Sequence, residues 1–292
     1  MTYLNSVFIA LLLFAGCSVE TKEDQQEEKA AEQKEKPERL IVIGGAITET
    51  VCALGYGDRI IATDVTSNYP EEVEKLPSVG HPRQMTAEGL LSERPDKIIL
   101  GKGQVQDDLL RQLQKADVQV IEVHQPESVE GTKKMIREVA ALFDADGSSM
   151  IEELEQDIFE LEEFKQSKQP GVLFLYARGA DMLLAAGTDT PADAMISLVG
   201  ARNVAAELDG FKPLSPEALV QMNPDALLLF SSGLESIQDE NESTLQLPGI
   251  SKTNAGKNKH FIAMDGNYLL GFGPRVGKAA KEVAEQLYID NE

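Results

Sequence analysis

The sequence predicts an α/β protein built as two similar lobes joined by one long helix. Three observations lead there. The stretch Glu88-Gly-Leu-Leu-Ser-Glu-Arg-Pro-Asp-Lys-Ile-Ile-Leu100 recurs as Glu217-Ala-Leu-Val-Gln-Met-Asn-Pro-Asp-Ala-Leu-Leu-Leu229, with the glutamates, Leu90 and Leu219, the Pro-Asp pairs and the final leucines all 129 residues apart. That period is far longer than a solenoid repeat, so it marks duplication of a lobe. Short β-branched runs alternate with helical patterns along both halves, the signature of a mainly parallel sheet covered on both faces, hence Rossmann-like lobes. Between the two copies, Ser148 to Lys168 carries Ile151, Leu154, Ile158 and Leu161 at three- and four-residue steps, one apolar stripe on a helix of about five turns.

Each element has a local reason. Arg39-Leu-Ile-Val-Ile43 is a buried strand ending at Gly44-Gly45, and Ile47 to Leu54 is a helix stopped at Gly55 or Gly57. Arg59 to Thr63, Lys97 to Leu100 and Val118 to Val123 are the next strands, with helices at Gln106 to Ala116 and Val129 to Phe143. Each repeat copy opens a short helix at Thr86 or Ser215, stops it at a proline and enters a buried strand. Ser149 with Glu152 fits a capping box at the start of the long helix, which ends at Lys168-Gln-Pro170. A strand at Gly171 to Tyr176, a helix at Ala192 to Val199, a strand at His260 to Met264 and a helix from near Pro274 to Tyr288 complete the second lobe. The expected organisation is 1–17 an export signal, 18–38 a tether, 39–146 the first lobe, 147–169 the connecting helix and 170–292 the second lobe.

Bulk composition narrows the partners. Of 292 residues, 42% are apolar and 26% charged, ordinary for a folded body, but the net charge of -22 repels phosphate and argues against nucleic acid. No tryptophan and 5% aromatics leave few stacking platforms for single strands. Val7 to Phe14 is an apolar run too short to span a bilayer, and Ala15-Gly16-Cys17 follows it. Small residues directly before a cysteine resemble a bacterial lipobox, which makes Cys17 the expected lipidation site. Ser18 to Glu38 is polar and glutamate-rich, a composition that buries nothing and reads as a disordered tether. With Cys17 lipidated, Cys52 has no disulfide partner and reads as a small buried hydrophobe without a chemical role.

Signatures of enzymes are missing: no P-loop, no HExxH, no Gly-x-Ser-x-Gly and no Cys-x-x-Cys. His81, His124 and His260 are too dispersed for a zinc site. The informative neighbourhood is Asp64-Val-Thr-Ser-Asn-Tyr69-Pro70 with Leu76-Pro-Ser-Val-Gly80-His81-Pro-Arg83. It follows a strand end, where open α/β sheets place ligand-binding loops. Spacing alone leaves Tyr69 equally readable as a plain turn residue before proline.

The runs Thr66-Ser-Asn-Tyr69-Pro, Leu-Pro-Ser-Val-Gly80, Arg83, Tyr176-Ala-Arg178-Gly179, Gly187-Thr-Asp-Thr-Pro-Ala-Asp193, Gly210-Phe-Lys-Pro-Leu214 and Tyr268-Leu-Leu-Gly-Phe-Gly-Pro-Arg275 together resemble the periplasmic haem-binding proteins of bacterial ABC importers. That resemblance covers essentially everything from Arg39 onward and implies the class III substrate-binding fold, shared with receptors for cobalamin and siderophores. It implies that Tyr69 binds ferric haem iron, a hard cation well served by a phenolate. A nearby cation favours the phenolate over the phenol, and Arg83 is the candidate. His81 stands where the family often has tyrosine, which leaves open whether it contacts haem. Tyr176, Arg178, Lys212 and Tyr268 would line the haem pocket, with the cations on the propionates; read singly, each is equally a solvated charge or a packed ring. Glu88 and Glu217 match the glutamates that dock such proteins onto permease arginines, although a carboxylate at a helix N-terminus is favoured by the dipole alone. The implied protein catalyses nothing. It is an exported, lipid-anchored monomer whose partners are haem, the permease and its ATPase. A siderophore or cobalamin receptor of the same fold is the alternative, and an exported α/β enzyme is the alternative of another class.

Overall fold

The computed structural model describes residues 37–164, 169–179, 182–238 and 247–288. Cys17, the expected signal, nearly all of the tether and residues 165–168 lie outside the described residues. The folded body holds two sheets. The first contains β1 (Leu40–Ile43), β2 (Ile60–Thr63), β3 (Lys97–Gly101) and β4 (Gln119–Val123) in the order β2-β1-β3-β4, all parallel. The second contains β5 (Gly171–Ala177), β6 (Leu183–Ala186), β7 (Arg202–Asn203), β8 (Phe211–Pro213), β9 (Ala226–Phe230) and β10 (Phe261–Met264), ordered β10-β9-β5-β6-β8 with β7 also on β5. In it β6 runs antiparallel to both β5 and β8, and the remaining pairs are parallel.

Strands covered on both faces need no polar side, and β1 shows this. Leu40 and Val42 join one hydrophobic cluster, Ile41 and Ile43 the cluster on the opposite face. Val172 and Phe174 alternate with Leu173 and Leu175 in the same way on β5. The covering helices are α1 (Gly45–Ala53), α2 (Ala87–Ser92), α3 (Asp107–Leu113) and α4 (Val129–Leu142) in the first lobe. In the second they are α6 (Pro191–Leu198), α7 (Pro216–Met222), α8 (Ser231–Ile237), α9 (Asn254–Asn258), α10 (Gly266–Leu270) and α11 (Val276–Leu287).

The repeated unit occupies equivalent places. Thr86 and Ser215 cap α2 and α7, accepting from the N–H groups of Gly89 and Ala218. The strand that follows lies beside the first strand of its lobe, Lys97 opposite Leu40 and Ala226 opposite Val172. The Pro-Asp pair has a common purpose. Asp96 accepts the Arg39 N–H at 2.8 Å, and Asp225 accepts the Gly171 N–H at 2.8 Å. Each aspartate thus pins the start of its lobe's central strand, where a backbone donor has no ladder partner.

The connecting helix, α5 (Ser148–Leu161), is shorter than the sequence pattern suggests. It spans roughly 21 Å at 1.5 Å per residue, followed by one 3-10 turn at Glu162–Phe164. Its cap also differs from the expected Ser149–Glu152 box. Gly147 is the N-cap, and Asp146 reaches forward to accept the Ser148 N–H at 2.9 Å. The apolar stripe explains why this helix joins the lobes. Ile151, with Met150, packs on the first-lobe core, while Leu154, Ile158 and Leu161 belong to the second-lobe core. Lys278 and Lys281 on α11 pair with Glu153, Asp157 and Glu160, fastening most of α5 to the second lobe.

Candidate functional site

The first-lobe turn that carries Tyr69 is organised by Asp64, a buried carboxylate at the end of β2. Asp64 accepts hydrogen bonds from the N–H groups of Gly44 (2.7 Å) and Thr66 (3.0 Å) and from the Ser67 hydroxyl (2.7 Å). Thr48 on α1 adds a hydroxyl contact to Ser67 at 2.9 Å. Carboxylates that accept several donors hold loops well because charge-assisted bonds are the strong ones. The chain then reaches Asn68 and Tyr69, whose bond to Pro70 is cis. Tyr69 is 43% exposed, unusual for an aromatic ring so firmly seated.

A second-lobe residue seats it. The Arg275 guanidinium lies 3.4 Å from the centre of the Tyr69 ring and 4.8 Å from that of Tyr268. Glu49, 5% exposed and the lone charge on α1, accepts two hydrogen bonds from Arg275 at 2.8 and 2.9 Å. Burial works against the Arg275 charge, but Glu49, with Tyr69 and Tyr268 adding to it, holds the guanidinium's pKa above its ordinary value. Burial, then Glu282, raises the Tyr268 phenol, with Arg275 opposing, so Tyr268 remains a neutral phenol at physiological pH.

Beside this cluster a cleft of about 430 Å³ opens between the lobes, within the usual range for ligand sites. Its walls come from the C-terminal ends of strands, as expected for open α/β sheets. Gly44 to Ile47, Val65, Thr66, Asn68, Gln104 and Gln125 face Phe230, Asp265 to Asn267 and Leu270. Glycines make room for its carboxamides: a Cβ on Gly45 would stand 2.2 Å from the Asn267 side chain, and one on Gly101 2.1 Å from that of Gln125. Tyr69 itself lines not this cleft but a second cavity of about 400 Å³, bounded by α1, the Tyr69–Pro70 turn, α5 and Arg275.

The structure brings together only some of the residues singled out from sequence. Tyr69 and Tyr268 share the Arg275 guanidinium. Tyr176 is half-buried and meets Phe230, a cleft residue, edge-on at 6.1 Å. Arg178 and Lys212 are exposed at the end of β5 and on edge strand β8, and neither lines the cleft cavity. His81 is exposed, its Nδ1 accepting the Arg83 N–H at 3.2 Å to cap a 3-10 turn. Arg83 is exposed on that turn, and the cation on Tyr69 is Arg275 instead. Glu88 and Glu217 are exposed in the first turns of α2 and α7. The Cys52 thiol, half-buried at the second cavity, is pushed up to about 11 by burial and by Glu49 and Glu72, which fits a residue without chemistry. Among the described residues, no group of three or more His, Cys, Asp or Glu is placed to hold a metal ion directly.

Sequence reasoning missed Glu49, Asp64, Asp265 and Arg275. Signals existed for two of them. Arg275 ends the run Tyr268-Leu-Leu-Gly-Phe-Gly-Pro-Arg, and Glu49 is a lone charge in an apolar helix, which demands a buried partner.

The sequence pattern of periplasmic binding proteins matches residues 40–268. The chain belongs to the periplasmic binding protein family. Its structure superposes on the periplasmic haem-binding protein RhuT of Roseiflexus sp. RS-1, in apo form, with a TM-score of 0.81 and 35% identity, covering 87% of this chain and 98% of that one. The haem-binding protein BhuT, in complex with two haems, gives 0.78 and 33% over 86% and 98% of the respective chains. The ABC transporter substrate-binding lipoprotein YvrC of Bacillus subtilis, itself uncharacterised, is 24% identical over 98% of this chain and 96% of its own length. This periplasmic binding protein therefore has the class III fold and is the substrate-binding component of an ABC transporter. Among the described residues, no helix is long and apolar enough to cross a membrane.

Proposed function

We propose that the substrate is ferric haem, bound in the interlobe cleft through the Tyr69 phenolate and passed on to a permease and its ATPase. The observation that carries this reading is the Arg275 guanidinium lying on the face of a 43%-exposed tyrosine. A cation there stabilises negative charge on the phenolate oxygen that a hard ferric ion requires, and the exposure of Tyr69 leaves it reachable by iron. Two solved structures at 33% and 35% identity are of haem-binding proteins, which supports the same ligand. The apolar cleft residues Ile47, Val65, Phe230 and Leu270 suit a porphyrin face, with Tyr176 backing Phe230. Arg83, whose N–H donates to His81, and Arg178 and Lys212, all exposed outside the cavity, are the cations we assign to propionates projecting into solvent.

In this reading Cys17 carries lipid and the acidic segment 18–38 tethers an exported, monomeric body to the membrane. The protein delivers its cargo and catalyses nothing. Glu88 and Glu217, one per lobe on equivalent capped helices, dock onto permease arginines. Exposed ion pairs contribute little to folding, so their charge is available to a partner.

The test is titration of the protein lacking residues 1–17 with ferric haem and, in parallel, with cyanocobalamin and a ferric siderophore. Saturable Soret changes with haem, and none competed by the other two, are expected. Binding of cobalamin or siderophore with no haem response would reassign the cargo. Glu88→Arg with Glu217→Arg is expected to abolish haem uptake by cells while leaving haem affinity unchanged.

A further inference from the structure

Among the described residues, the polar contacts that tie the second lobe to the cleft side of the first all start from one short segment, Asp265–Arg275. Asp265 Oδ2 accepts from Asn68 Nδ2 at 2.7 Å, the Phe272 carbonyl accepts from the buried Thr132 hydroxyl at 2.7 Å, and Arg275 is gripped by Glu49. Asp265 thus holds Asn68, and Arg275 lies on the ring of the next residue, Tyr69. Phe272, fully buried in the middle of the segment, has a φ of 49°, a left-handed conformation that costs a bulky residue energy and persists only where its surroundings enforce it.

We infer that Glu49 is a positioning residue for substrate binding: through Arg275 it holds the second-lobe segment against Tyr69, so that the iron-binding tyrosine is set by the juxtaposition of the lobes. The inference rests on the haem reading above and extends it to a residue that touches no substrate. Glu49 anchors from α1, on the same lobe as Tyr69, and Arg275 bridges from the other lobe. The pair is therefore intact only while the lobes stand in this arrangement. Separation of the lobes removes the guanidinium from the ring and the Asp265 contact from Asn68 together, leaving the Tyr69 turn held only from within its own lobe, by Asp64 and Thr48. The other charged groups around Tyr69 do not substitute for Arg275. Glu153 and Asp157 on α5 are carboxylates already facing Lys278 and Lys281, and Glu71 and Glu72 on its own turn are acidic. Lys278, at the second cavity, is drawn toward Glu153 at 3.4 Å.

The experiment uses the ligand-free and haem-loaded protein lacking residues 1–17, with Glu49→Gln and, because a buried pair is being broken, Arg275→Lys as a second variant that keeps the positive charge. Hydrogen exchange in ligand-free protein is expected to rise in both segments 64–70 and 265–275 in Glu49→Gln. Haem affinity is expected to fall about tenfold or more, the scale of a partly desolvated cation–π contact, with loss of the phenolate-to-iron charge-transfer band. Arg275→Lys is expected to do the same, since an ammonium cannot hold two carboxylate oxygens and lie flat on a ring. Unchanged exchange at 64–70 in the folded variants, or haem binding within twofold of the parent with the band intact, overturns the inference. If Glu49→Gln does not fold, Arg275→Lys decides alone. Raised exchange together with a parent protein that ignores haem would sustain the positioning role and sink the haem reading instead.

Discussion

The duplicated Pro-Asp pair makes a prediction that compares the two lobes within one molecule. Asp225→Ala removes the acceptor for the Gly171 N–H at 2.8 Å and for the Asn254 amide at 2.8 Å, both part-buried. Asp96→Ala removes the acceptor for one N–H, that of Arg39, at 2.8 Å and exposed. A hydrogen bond to a charged group is worth about 1.5–3 kcal/mol, less where water replaces it. Two part-buried bonds, discounted for shared geometry, give a loss of about 3 kcal/mol for Asp225→Ala. One exposed bond gives about 1 kcal/mol for Asp96→Ala. Urea unfolding followed by circular dichroism measures the difference as a shift in midpoint at constant slope. Equal losses, or a larger loss for Asp96→Ala, would refute the claim that the aspartates act by pinning strand starts in proportion to burial.

Further expectations concern the cleft and its surroundings. Gly45→Ala places a methyl 2.2 Å from the Asn267 side chain of the opposite lobe, so it should cost about 1–2 kcal/mol in thermal stability and weaken haem binding; an unperturbed affinity would show that the cleft relaxes freely. Cys52, with its thiol at about 11, should react with iodoacetamide at pH 8 about two orders of magnitude more slowly than an ordinary cysteine, measured by mass spectrometry on protein lacking residues 1–17. Because burial and the acids Glu49 and Glu72 raise that thiol, its reactivity should climb only as pH approaches 11.

The sequence made the fold readable because its cues are local. Period-two burial on β1 and β5, hydroxyl caps at Thr86 and Ser215, and the stripe on α5 depend on residues within a few positions of one another. The cap of α5 escaped because Asp146 works around Gly147, leaving the Ser149–Glu152 pattern as coincidence. At the site, Tyr69 was legible only through resemblance, while its cation was misplaced. Arg83 lies near Tyr69 in sequence, yet the guanidinium on the ring comes from Arg275, held by a glutamate 226 residues away. Which lobe supplies a charge to a cleft is decided by tertiary placement, and no periodicity encodes it. The carboxamides of Gln104, Gln125 and Asn267 escaped for the same reason, being unremarkable until folding lays them over glycines.

The most direct test of the account is the electronic spectrum of haem-loaded protein compared with that of Tyr69→Phe, which keeps the ring beneath Arg275 and removes only the oxygen. The parent should bind ferric haem with a phenolate-to-iron charge-transfer band and an iron–phenolate stretch in the resonance Raman spectrum. Tyr69→Phe should lose both signals and most of its affinity. Retention of tight haem binding with an unchanged iron spectrum in Tyr69→Phe would contradict the central claim.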